Sequence, residues 1–123
     1  MIWWFEKKRG VSVFITLVGA VLIFWISSIP GKAFLGTLGI TTILYHLLAF
    51  FFFSAFVFIS IVRGRKNHKF FLIAFLISTA YALTDEIHQF FIPGRACAFF
   101  DFGLDLTGIV FSFIIYLIII FRR

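Results

Sequence analysis

The chain has 123 residues, 63% hydrophobic and only 13% charged, with 21 phenylalanines and a mean hydropathy of +1.13. Such a composition cannot clothe a soluble domain in polar side chains, so a water-soluble enzyme or carrier is excluded and an integral membrane protein remains. The net charge of +6 would suit a nucleic-acid binder, but the bases stand in short clusters between apolar runs, as membrane flanks do, so no nucleic-acid partner is expected.

Four apolar runs each come close to the roughly 20 residues that a spanning helix needs. They extend from about Val11 to Ile29, Leu38 to Val62, Phe70 to Ile92 and Phe100 to Phe121. Only helices satisfy their backbone locally in lipid, and the spacing offers no set of strands that could close a barrel. The expected fold is all-α: a single domain over residues 1–123, built as an integral membrane four-helix bundle.

Ahead of the first run, Lys7-Lys8-Arg9 resembles the start of a signal peptide. The run is long for such a segment and no small-x-small cleavage site follows, so an uncleaved first helix is expected. Trp3 and Trp4 suit a membrane interface. The run ends in Ser27-Ser28-Ile29-Pro30, whose hydroxyls can either join a polar layer or bond back to helix carbonyls. The sequence leaves both open.

His46 lies a few turns into the second run, followed by Phe50 to Phe53, which are packing residues rather than a cofactor box. Arg63, Arg65, Lys66, His68 and Lys69 form a basic loop before the third run. Counting the lysines and arginines of that loop with Lys7, Lys8, Arg9, Arg122 and Arg123, nine bases fall on one side of the membrane, against Lys32 and Arg95 on the other. The positive-inside rule then puts both termini in the cytoplasm of a multi-pass cell-membrane protein. Cys97 is the one cysteine, which rules out an intrachain disulfide.

The third and fourth runs carry the chemistry. Four of the five acidic residues, Asp85, Glu86, Asp101 and Asp105, lie between Tyr81 and Gly108. A carboxylate within hydrocarbon costs at least about 2.5–3.5 kcal/mol, which makes this stretch the candidate site. Tyr81, Asp85 and either His88 or Gln89 share one helical stripe, with Glu86 about 100° away. Asp101, Asp105, Gly108 and Ser112 form a second stripe whose small members allow close helix approach. The two stripes are expected to face each other across the Pro93-Gly94 turn. Asp85 then lies roughly 10 Å deep, and Asp105 and His46 at a comparable level.

Such residues can simply glue helices together, as Asp–Arg or Asp–His pairs do. Yet the four carboxyls face Arg95, His88 and His46, with Lys32 a possible fourth partner on another loop, and excess acid in a low-dielectric pocket is how proton-transfer and cation sites are built. No HExxH or paired-cysteine pattern organises the acids, and neither a metal nor a cofactor is expected. The candidates for catalysis are Asp85, Glu86, His88, Asp101 and Asp105. Those for substrate binding are His46, Gln89, Arg95, Ser27, Ser28 and Tyr81.

Asp85-Glu-x-His-Gln89, then Pro93-Gly-Arg95, then Asp101-x-x-x-Asp105-x-x-Gly108 resembles the VanZ-like family of small membrane proteins. Ser27-Ser-x-Pro30 and His46 also stand at family-like places, so the resemblance touches all four runs. Asp105 departs from the asparagine that is frequent in the family. The resemblance implies a role in the cell envelope, since the founding member is associated with low-level resistance to the glycopeptide teicoplanin. Three readings follow: a site that binds a lipid or lipid-linked cell-wall precursor, a hydrolase or transferase acting on lipid head groups, and a subunit that packs against a membrane-protein partner.

Overall fold

The computed structural model describes residues 1–30, 39–95 and 99–123. Lys32 and Cys97 lie outside the described residues. Among the described residues five helices run α1 Ile2–Lys7, α2 Arg9–Ser27, α3 Gly39–Val62, α4 His68–Phe90 and α5 Phe99–Arg122. The last four are long and apolar enough to cross a membrane.

The helix ends follow local chemistry. α2 stops at Ser27, two residues short of the expected Ile29, because Pro30 disfavours helical backbone at the residue before it. α4 begins at His68 rather than Phe70, since the Asn67 side chain accepts the Lys69 N–H at 3.0 Å and caps the helix. At the end of α3, Arg63 and Gly64 both take positive φ, and Arg65 folds back to donate to the carbonyls of Ile61 and Val62 at 2.6 and 3.0 Å. Those carbonyls are among the acceptors a helix end leaves open.

α1 is additional to the four helices expected. Six residues are too few to show a helical period, and Trp3 and Trp4 read as interface anchors instead. The helix folds over the end of the bundle that also holds the C-terminus and the 63–67 turn, where Glu6 meets Arg123.

α3 is the central helix and touches every other one. Its most intimate neighbour is α5, which runs parallel to it. The reason is Gly108: a Cβ there would stand 2.5 Å from the Leu47 carbonyl oxygen and 3.0 Å from the Phe51 nitrogen. The small stripe of α5 therefore meets the α3 backbone at Gly108, because only a hydrogen side chain allows that approach, while Asp105 of the same stripe also faces Asp85 and Glu86 of α4 as expected. Phe50, Val57, Phe58, Ala74, Ile109 and Ile120 fill the interior. Phe14, Leu17, Trp25, Leu76 and Phe90 are exposed on the outside, as lipid-facing residues would be.

Candidate functional site

At the end of the bundle opposite the termini, three helices place ionisable groups in one buried layer. α3 supplies His46 and α5 supplies Asp105, both fully buried. The shared register of these parallel helices brings them together: His46 Nδ1–H donates to Asp105 Oδ1 at 2.7 Å, and Nε2 lies 3.9 Å from Asp101 Oδ2. One turn separates Asp105 from Asp101, so the second acid sits nearer the rim and is partly exposed.

From α4 come Asp85, Glu86 and Gln89, all buried. Gln89 settles which side chain completes the Asp85 stripe, because its Nε2 donates to Asp85 Oδ2 at 2.9 Å and reaches Ser27 Oγ at 3.5 Å. One carboxylate oxygen each from Asp85, Glu86 and Asp105 lie within 4.8 Å of one another. So do ligand atoms of His46, Glu86 and Asp101. Glu86 belongs to both groups and is their junction. These are the residues that could hold a cation.

His88 points elsewhere. Its Nε2 is 2.9 Å from Ser28 Oγ, and its ring stacks on Phe24 at a centroid distance of 4.4 Å. Ser28 Oγ–H already donates to the Phe24 carbonyl at 2.7 Å, so His88 is the donor in that pair. Tyr81 likewise donates to the Ala20 carbonyl, leaving its hydroxyl outside the acid layer. Both residues tie α4 to α2 and position the layer. Ser27 and Ser28 thus divide the two roles the sequence left open: Ser27 faces Gln89 within the layer, while Ser28 bonds back to its own helix and holds His88.

Arg95 closes the rim from the turn after α4. Its guanidinium donates to the Ile26 carbonyl at 3.4 Å and stands in the field of Tyr45, Asp85, Asp101 and Glu86. Burial pulls its pKa below the usual arginine value, and the neighbouring carboxyls of Asp85, Asp101 and Glu86 oppose that pull. Tyr45 was not foreseen. Its ring meets His46 edge-on at 5.4 Å, and its hydroxyl shares the field of Asp85, Arg95 and Asp105. Being next to His46 in sequence is the signal that could have found it.

A fourth buried acid, Glu6, stands outside the expected site. Glu6 in α1 accepts from Tyr116 Oη–H at 2.7 Å and from Arg123 at 2.6 Å, while Arg63 donates to its backbone carbonyl at 3.3 Å. An acid beside Trp3, Trp4 and Phe5 should have drawn notice, but Lys7 and Lys8 make it read as a solvated flank.

Four apolar helices enclosing a buried carboxylate–histidine layer define a multi-pass membrane protein with a polar site at one end. The sequence model of the VanZ/LLP1 family matches residues 9–121, nearly the whole chain, and the chain belongs to that family. No curated protein and no solved structure matches it.

Proposed function

We propose that the chain, lodged in the cell membrane with both termini in the cytoplasm, binds a lipid or lipid-linked cell-envelope head group in its acid–histidine layer. The observation that carries this reading is a groove of about 360 Å³ between α2 and α3. It is lined by Ile15, Gly19, Leu22, Ala49 and Phe52, and it ends at Ile26 and Tyr45 beside the layer. An acyl chain lying there would deliver its head group to Arg95, which already bonds Ile26. A guanidinium grips a phosphate through two parallel N–H donors, so an anionic head group suits that place. Changed handling of such a precursor would alter teicoplanin susceptibility, in keeping with the founding member of the family.

The His46–Asp105 pair favours a second reading, head-group hydrolysis or transfer with His46 Nε2 as general base and Asp105 as its orienting acid.

Native mass spectrometry of protein released from anionic and zwitterionic nanodiscs tests the binding reading. Retained anionic phospholipid should fall about tenfold, or about 1.4 kcal/mol, in Arg95→Ala and in Ala49→Phe, which fills the groove. Equal retention by wild type and both folded variants would remove it.

A further inference from the structure

Lipid binding at the rim leaves the interior of the layer unexplained. His46 is 1% exposed. Its Nδ1–H is committed to Asp105 Oδ1, which fixes the tautomer and leaves the ring's lone pair on Nε2. Among the described residues Nε2 has no hydrogen-bond partner. It faces Asp101 Oδ2 at 3.9 Å, too far for a hydrogen bond.

That distance is a natural ligand–ligand separation. Two atoms bound to one ion at about 2.0–2.2 Å stand up to about 4.2 Å apart. A ring nitrogen of His46 and one oxygen each from Glu86 and Asp101 are all within 4.8 Å of one another, and Nε2 is the nitrogen facing Asp101, so small side-chain adjustments bring the three onto one centre. A second observation points the same way. Asp105 Oδ2 is buried with no hydrogen-bond partner among the described residues, although Asp85 and Glu86 place carboxylate oxygens beside that carboxyl. So many acids at this spacing call for a cation in a low-dielectric interior.

We propose that His46 Nε2, Glu86 and Asp101 ligate one first-row divalent transition-metal ion, with Asp105 as the positioning carboxylate behind the imidazole. A histidine ligand whose other nitrogen donates to a carboxylate is the usual arrangement at metal centres. One nitrogen with carboxylate oxygens suits zinc, manganese or iron, whereas magnesium and calcium take oxygen donors. The ion turns a layer that repels a phosphate into one that attracts it. It is held whether or not a lipid is the ligand at the rim. A metal-bound Nε2 also has no lone pair left for a proton, so this assignment and the general-base reading of His46 exclude each other.

Mn²⁺ alone is the probe. The full chain, purified in detergent and stripped with chelator, is titrated with Mn²⁺ and followed by electron paramagnetic resonance. One Mn²⁺ per chain should bind, show coupling to a histidine nitrogen, and be displaced by Zn²⁺. His46→Gln and Asp101→Asn should each weaken binding at least about 100-fold, and Asp105→Ala about 10–100-fold. Asp105→Asn, whose amide oxygen still accepts Nδ1–H, should stay within about tenfold of wild type. Tyr116→Phe, at the other end of the bundle, should leave affinity unchanged.

Failure of the folded wild type to bind Mn²⁺ stoichiometrically overturns the proposal, as does bound Mn²⁺ without nitrogen coupling. Either result leaves His46 as the hydrogen-bonded partner of Asp105 with no ion on Nε2. The coupling is read on wild type, so a variant that fails to fold does not shelter the assignment. Lipid retention on the same preparation keeps the two readings apart: metal bound without lipid sinks only the lipid reading, and lipid bound without metal sinks only the ion.

Discussion

Tyr116 and Glu6 are 110 positions apart, yet the tyrosine hydroxyl donates to the glutamate carboxylate at 2.7 Å in a buried contact. That bond joins α1 to α5, and Arg123 and Gly64 complete the knot at 2.6 Å to Glu6 and 3.3 Å to Tyr116. A hydrogen bond to a charged, buried acceptor contributes about 1.5–3 kcal/mol, so Tyr116→Phe should lower stability by that amount in thermal or denaturant unfolding. Glu6→Gln should cost at least as much, because the Gln amide then meets Arg123 with a donor. A change below about 0.5 kcal/mol in both would show the knot to be ornamental.

Gly108 sets the distance between α3 and α5. A methyl group at that position meets Leu47 carbonyl oxygen at 2.5 Å, and backbone cannot swing aside as a side chain can. Gly108→Ala should destabilise the fold by about 1–3 kcal/mol, and Gly108→Val by more. His46 adjoins Leu47 and Asp105 lies one turn from Gly108, so the same substitution should lengthen the 2.7 Å His46–Asp105 bond. The imidazole Nδ1–H resonance in a proton NMR spectrum reports it; an unmoved signal in a folded Gly108→Ala protein counts against this coupling.

The orientation rests on base asymmetry, and Cys97 reads it out from sequence position alone. With both termini in the cytoplasm, a membrane-impermeant thiol reagent should label Cys97 in intact cells. Labelling confined to permeabilised cells, with the thiol shown to be reactive, would invert the chain.

Arg95 stands between two uses, holding Ile26 and the acids or holding a ligand's phosphate. Arg95→Lys keeps the charge but loses the planar fork, so it should retain anionic lipid poorly. The double variant Arg95→Ala with Asp101→Asn separates the uses. A structural clamp predicts recovery of both stability and lipid retention, since an arginine that serves only to neutralise Asp101 is dispensable once that charge is gone. The phosphate reading predicts a folded protein that still retains little lipid by native mass spectrometry.

Much of this was legible in the sequence, because bilayer solvent leaves few choices. Long apolar runs must be helices, and acids within them must turn inward, which is why Asp85, Glu86, His46 and Asp105 could be placed in one layer before any coordinate. Pairings were less legible. His88 and Gln89 share a stripe with Asp85, and only the position of α2 decides that Gln89 faces Ser27 while His88 stacks on Phe24. The α3–α5 contact was also hidden, since a glycine announces a close approach without naming what approaches. Glu6 was lost among neighbouring lysines, where local charge outweighs the distant Tyr116 that explains it.

The two polar knots lie near opposite ends of α5, with Asp105 in one and Tyr116 in the other. At 1.5 Å per residue they are about 16 Å apart, roughly half the 30 Å hydrocarbon thickness of a bilayer. If each knot reaches equally deep from its own surface, a charge arriving at the Asp105 end has already crossed about a quarter of the transmembrane voltage. That amounts to about 0.5 kcal/mol per elementary charge at 100 mV, twice as much for a divalent ion. Occupancy of this end of the bundle would then follow the energised state of the cell as well as the supply of its ligand.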